Sequence, residues 1–224
     1  MIQERIPKEA EFWNDPRVVE VFYSLPPKKY WKDFLGRFKN PAEVRVLDLG
    51  CGGGRNTELL LKMGFNSWAC DLHKEMVAAS KQRISKLFGE KNANKIVLAS
   101  MLNLPFRSGY FDVVVSSGVY HNTRSIGEFQ KAIRETSRVL KTGGFLCLNV
   151  FYKGRLPRDF KKIKSKKYTY LTRNGLFTTL LPRKKFLEIS RNSGFIPVEK
   201  LVSYESGVLT GKRSVLRGVL KKAK

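Results

Sequence analysis

Val46-Leu47-Asp48-Leu49-Gly50-Cys51-Gly52-Gly53-Gly54 decides the fold. A short apolar run from Val44 to Leu49 reads as a buried strand. The glycines that follow let the backbone turn sharply and leave main-chain atoms open to a ligand. A helix begins next, predicted over Thr57–Met63 and stopped by Gly64. Strand, glycine loop and helix in this order open a Rossmann-like α/β sheet. The spacing is Gly50-x-Gly52-x-Gly54, and Arg55 stands where a dinucleotide fingerprint needs its third glycine.

Outward from this loop, strand-like and helix-like segments alternate. Ser67–Asp71, Lys95–Ala99, Phe111–Ser117 and Phe145–Phe151 read as further strands. Lys74–Phe88 and Ser125–Leu140 read as amphipathic helices, the second on Ile126, Phe129, Ile133 and Leu140. Pro182 opens a helix to Asn192. Ile196–Tyr204 and Arg213–Leu220 read as two late strands. The expectation is one domain: a seven-stranded, mostly parallel sheet with a C-terminal antiparallel hairpin and helices on both faces. Four parts are expected: an aromatic helical lid (1–40), a cofactor-binding core (41–151), a basic flap or insertion (152–180), and a C-terminal helix and hairpin (181–224). Within the lid, Pro26-Pro27 breaks a helical stretch running from Glu11 to Phe38.

Two carboxylates refine the ligand. Asp48, just before the loop, would repel a pyrophosphate and attract an amino acid's ammonium group. Asp71, ending the next strand, can accept both hydroxyls of a ribose. The residues ask for a ribose, a positive amino-acid end and no phosphate, a description that S-adenosylmethionine fits.

The region from Val44 to Phe151 resembles the class I S-adenosylmethionine-dependent methyltransferases, of the broad type 11 group. Ser100-Met101-Leu102-Asn103-Leu104-Pro105-Phe106 resembles the family's third motif, with Ser100 in place of its usual acid. Phe111 to His121 resembles the fourth motif, whose end faces the transferred methyl. Arg138-Val139-Leu140-Lys141-Thr142-Gly143-Gly144 matches the turn into the fifth strand. The resemblance implies that Asp48, Gly50, Cys51, Gly52 and Gly54 line the methionine end and that Asp71 holds the ribose. Leu72, Ser100 and Met101 would lie at the adenine, and Ser117 beside the reacting end.

The composition limits the rest. The 224 residues carry a net charge of +24. Residues 1–110 hold 18 basic and 12 acidic residues, and residues 111–224 hold 25 and 7. This asymmetry favours an anionic partner. No apolar run reaches the roughly 20 residues of a membrane helix, and no signal peptide is visible, so the cytoplasm is the expected location. Cys51, Cys70 and Cys147 form no CxxC pair, so neither zinc nor a disulfide framework is expected, and no metal.

Methyl transfer from a sulfonium is an in-line displacement that depends mainly on alignment. No cysteine is free to attack a pyrimidine, and Ser117-Gly118-Val119-Tyr120 is not the Pro-Pro-aromatic signature of base amino-methylation. O- or N-methylation remains. His121 is the candidate base; its other reading is packing against the cofactor. Tyr120 is expected to gate or orient the acceptor. Trp13, Tyr23, Tyr30 and Trp31 are expected to wall the acceptor site, with Lys153 and Arg155 from the flap. The acceptor reads either as an anionic small molecule, lipid or glycan, or as tRNA or rRNA gripped by the basic C-terminal half. Contact of the flap with a membrane surface and a catalytically inactive binding module are further readings. The sequence leaves oligomeric state open.

Overall fold

The computed structural model describes residues 8–209 and 211–223, so residues 1–7 of the expected lid lie outside the described part. Arg45–Leu49 forms β1, Asn66–Asp71 β2, Ile96–Leu98 β3, Phe111–Ser117 β4 and Leu140–Phe151 β5. These strands run parallel, with β1 between β2 and β4. Beyond β5 the direction reverses. Gly211–Lys222 forms β11, antiparallel to β5, and Val202–Val208 forms β10, antiparallel to β11. The order is β10-β11-β5-β4-β1-β2-β3, the seven-position mixed sheet expected from the strand pattern.

Alternation along the strands sends side chains to two cores. Leu47, Leu49, Val114, Leu146 and Leu148 pack with Phe129 and Ile133 of α7 (Ile126–Val139) and Phe186 and Ile189 of α8 (Arg183–Asn192). On the other face Val46, Val113, Val115 and Cys147 meet Trp31, Leu35, Leu60 and Phe65. Those residues come from α3 (Lys32–Leu35), α4 (Arg55–Lys62) and their neighbouring loops. A helix α5 (Lys74–Phe88) and a short α6 (Glu90–Ala93) cover β2 and β3.

Four expectations change. The lid breaks first at Asp15-Pro16, giving α1 (Lys8–Trp13) and α2 (Pro16–Ser24). Asp15 caps α2 by accepting from Arg17 N–H at 2.8 Å, and proline suits a first helical turn. The segment 25–31 past Pro26-Pro27 is not helical before α3. The late strand Ile196–Tyr204 is two pieces, β9 (Phe195–Pro197) and β10, which pair with successive parts of β11. The gap lets Leu201 turn into the core over Gly218, where a Cβ would meet its Cδ2 at 2.3 Å. The flap is no irregular insertion: β6 (Lys161–Lys162), β7 (Thr169–Leu171) and β8 (Phe177–Thr179) form a separate antiparallel sheet. Two expected boundaries move as well, since α4 begins at Arg55, directly on the glycine loop, and β5 begins at Leu140, inside the expected turn.

Candidate functional site

The C-terminal ends of β1, β2 and β4 meet beside the glycine loop, where parallel α/β sheets place their ligands. Gly50, Gly52 and Gly54 have φ of +70°, +52° and +81°. A Cβ at Gly50 would lie 2.3 Å from Val119 Cγ2, one at Gly54 2.6 Å from Ser80 Oγ, and one at Gly53 2.4 Å from Phe22 O. The bare loop is thus required by the chain's own packing as well as by any ligand.

A cavity of about 270 Å³ opens over this loop. Gly50, Gly52, Asp71, Leu72, Ser100 and Met101 line it, with Ser117 at its far end. Asp71 is held in place before any ligand arrives. Its Oδ2 accepts from Gly52 N–H at 2.9 Å, and its Oδ1 from His73 N–H at 3.0 Å.

Asp48 lies below the cavity rather than in its wall. It is fully buried, and Oδ2 accepts from Thr57 Oγ1 at 2.7 Å while Oδ1 has no partner. Burial raises its carboxyl to about 6, against the hydrogen bonds from Thr57 that lower it. Cys51 and Gly54 are buried in the loop and line no cavity. The Cys51 thiol is pushed well up by burial, so it is no nucleophile.

A second cavity, of about 470 Å³, adjoins the first. Trp13, Phe22, Ser117, Gly118, Asn122 and Phe177 line both. The second cavity is closed by the segment 12–30, by β8 and by the β10–β11 hairpin. Its charged lining groups are Lys28, Arg55 and Arg213, with no carboxylate. The side chain of Arg55, the residue directly after Gly54, makes no hydrogen bond or ion pair among the described residues. Burial lowers its pKa, and the field of Asp48 opposes that shift. Lys28 Nζ lies 2.9 Å from Tyr30 Oη, and Arg217 sits over the rings of Tyr30 and Tyr204 at 4.7 and 5.1 Å. This cluster joins the lid segment to the hairpin across the cavity mouth.

His121 lines the second cavity with its ring stacked on Phe151 at 3.8 Å. Its Nδ1 accepts from Phe151 N–H at 3.2 Å, so the ring proton belongs on Nε2. Burial, aided by the charge of Arg213, pushes its pKa down to about 3. At neutral pH this histidine is an uncharged donor and a poor base.

Several expected acceptor residues lie elsewhere. Tyr120 is sealed in the core, its hydroxyl 2.9 Å from Thr136 Oγ1, so it neither gates nor orients anything in a cavity. Trp31 is buried under the sheet. Tyr23 lines neither cavity; its carbonyl accepts from Arg83 Nη1 at 2.7 Å. Lys153 reaches over the Tyr168 ring at 5.6 Å, and Arg155 is exposed; neither enters a cavity. Trp13 and Tyr30 do line the second cavity. Phe22, expected with the other aromatic residues of the N-terminal segment to cover the methyl donor, lines both cavities, whereas Lys28, Arg55, Asn149 and Arg213 were missed by sequence reasoning. Asn149 had a signal, as the lone amide in the apolar run Phe145–Phe151. Arg213 and Tyr204 had none, because only the hairpin brings them back to the cavity.

Known proteins agree with this geometry. A family model described as a methyltransferase domain matches residues 47–148. A probable tRNA methyltransferase 9B from Bos taurus is 30% identical over 144 residues, 63% of this chain and 29% of that protein. An Arabidopsis thaliana tRNA (carboxymethyluridine(34)-5-O)-methyltransferase is 30% identical over 111 residues, 50% of this chain and 25% of its own length. The chain therefore spans only about a quarter to a third of these relatives. A SAM-dependent methyltransferase from Methanosarcina mazei has the same fold, with a TM-score of 0.74 at 19% identity, covering 89% of this chain and 99% of that one. With the glycine loop, its flanking aspartates and the seven-position sheet all in place, the chain belongs to the class I S-adenosylmethionine-dependent methyltransferases.

Proposed function

We propose that this enzyme methylates an oxygen that reaches the site already ionised, a carboxylate, on an acceptor carried by RNA. One observation carries the reading: among the described residues the second cavity offers Lys28, Arg55 and Arg213, no carboxylate, and a histidine whose Nδ1 is occupied by the Phe151 amide and whose pKa burial pushes down. A hydroxyl or ammonium acceptor would need a base there. A carboxylate needs none, and it would satisfy the unpaired Arg55 guanidinium.

The first cavity fits S-adenosylmethionine, which supplies an electrophilic methyl on a sulfonium. Asp71 would take the ribose hydroxyls, its orientation set by Gly52 and His73. Leu72, Ser100 and Met101 would flank the adenine. Gly50 and Gly52 would offer backbone beside the methionine end. Asp48 acts through its field: its orphaned Oδ1 is too deep to touch a ligand, but its charge favours the cationic end above the loop. Trp13 and Phe22, in the walls of both cavities, exclude water from the junction. His121 Nε2–H would hold one acceptor oxygen while the other faces the methyl.

RNA is favoured over a free metabolite by the flap. Its nine basic residues from Lys153 to Arg173 surround the β6–β8 sheet, and Lys166 lies over the Phe177 ring at 5.2 Å, at the rim of both cavities. The Arabidopsis relative's name also puts its methyl on an oxygen of a carboxymethyl group in tRNA.

The test offers the labelled methyl donor to total RNA, to protein and to a metabolite extract. Label in RNA is expected, as a base-labile ester, with binding that weakens steeply with salt as several phosphates are released. Label confined to the metabolite fraction overturns the RNA reading, and a base-stable product overturns the carboxylate. Calorimetry showing no S-adenosylmethionine binding would identify an inactive module instead.

A further inference from the structure

The two cavities meet at Gly118, whose φ is +78° and which lines both. A Cβ there would have two polar neighbours in view: His121 Cε1 at 3.8 Å and Asn149 Oδ1 at 4.0 Å. Asn149 stands on β5, in register with Ser117 of β4, and is only 7% exposed. Its Nδ2 donates to Ser117 Oγ at 3.1 Å, and its backbone carbonyl accepts from Gly118 N–H at 3.0 Å. The side-chain oxygen points to the open side, in the wall of the second cavity, with no donor from the described residues.

This oxygen is open to the cavity rather than sealed in the core, so a ligand that enters there meets an unused acceptor. The candidates are limited by place. An ionised carboxylate would be repelled by a carbonyl oxygen. The hydrogens of a methyl on a positively charged sulfur are polarised into weak C–H donors, and a carbonyl oxygen attracts them. We propose that Asn149 Oδ1 is the group that receives the transferable methyl and holds it in line with the acceptor. This rests on the cofactor and acceptor assignment above. In the transfer, the acceptor oxygen's lone pair forms the O–C bond while the C–S bond breaks and its pair returns to sulfur. No proton has to move.

The test is binding, and it needs no acceptor. Calorimetry on the full chain compares S-adenosylmethionine with S-adenosylhomocysteine, which lacks the methyl and the charge. Asn149→Leu removes the oxygen at similar volume. It should lower the preference for S-adenosylmethionine about two- to fivefold, in line with one such contact at about 0.5–1 kcal/mol. S-adenosylhomocysteine affinity should stay within about twofold. Asn149→Asp keeps an oxygen there and adds charge, so it should raise the same preference. If both ligands bind and neither variant moves their ratio, the proposal is overturned while the cofactor assignment stands. If the unaltered chain binds neither ligand, the cofactor assignment itself fails. Should the leucine variant not fold, the aspartate variant decides alone, and an unchanged ratio in it counts against the role.

Discussion

The two cavities share a wall but have opposite chemistry. The first carries Asp71 and Glu128 with one cation, Arg124, and lies above the charge of Asp48; among the described residues the second carries Lys28, Arg55 and Arg213 and no acid. The contrast comes from a few angstroms of chain. Asp48, the penultimate residue of β1, lies on one side of the glycine loop, and Arg55 begins α4 on the other. A single strand-loop-helix unit therefore presents a negative field to one ligand and a positive one to the next. A cationic donor and an anionic acceptor would each be drawn to its own side, and they would meet at Gly118.

Substitutions can break this division. The largest effect is expected on the donor side. Asp71→Ala should weaken S-adenosylmethionine binding at least about 100-fold, since hydrogen bonds to a charged group are worth about 1.5–3 kcal/mol each. Calorimetry would read it, and a loss under fivefold would remove Asp71 from the ribose site.

Asp48→Asn sharpens the comparison through stability. Burial raises this carboxyl from 3.8 to about 6. Its stability contribution is therefore full below pH 4 and is lost as pH rises through 6. Ionised, the group costs the fold up to about 3 kcal/mol. The asparagine variant should be more stable than the unaltered chain at pH 8 in urea unfolding and no more stable at pH 4, while cofactor binding weakens. A variant that loses stability at pH 8 contradicts a functional reason for keeping this charge.

On the acceptor side, Arg55→Leu should raise the acceptor KM about tenfold and leave S-adenosylmethionine affinity within twofold. An equal loss in both would mean that the cavities are not separable. The smallest effect is an absence. With its pKa near 3, His121 stays neutral from pH 5.5 to 8, so kcat/KM should show no titration from it in that range. His121→Ala should lower the rate severalfold without changing the profile's shape. A step near pH 6–7 that vanishes in the variant would restore His121 as a base.

The cofactor half was legible in the sequence for a physical reason. Its residues are local: Asp48, the glycines and Asp71 lie within 24 positions, on adjacent parallel strands, and local spacing constrains them. The second cavity is assembled from the segment 12–30, α4, β5, β8 and the β10–β11 hairpin, and no spacing rule links those segments. Sequence logic therefore favoured Tyr120, Trp31, Lys153 and Arg155 by type and proximity, and the fold sent them to the core or the surface. It missed Arg55 because the helix start was set two residues late, and Asn149 because no spacing rule ties a lone amide within a strand to a ligand.

The amino-acid sequence by itself determined the strands of the sheet and the donor's chemical description, because strand periodicity, glycine geometry and charge act over short range, while the reversal of the C-terminal hairpin followed from the family resemblance. Only the tertiary structure decided what His121 can do. A histidine's proton affinity depends on burial, on the Phe151 amide bonded to Nδ1 and on a distant arginine, and the three meet only when the chain is folded.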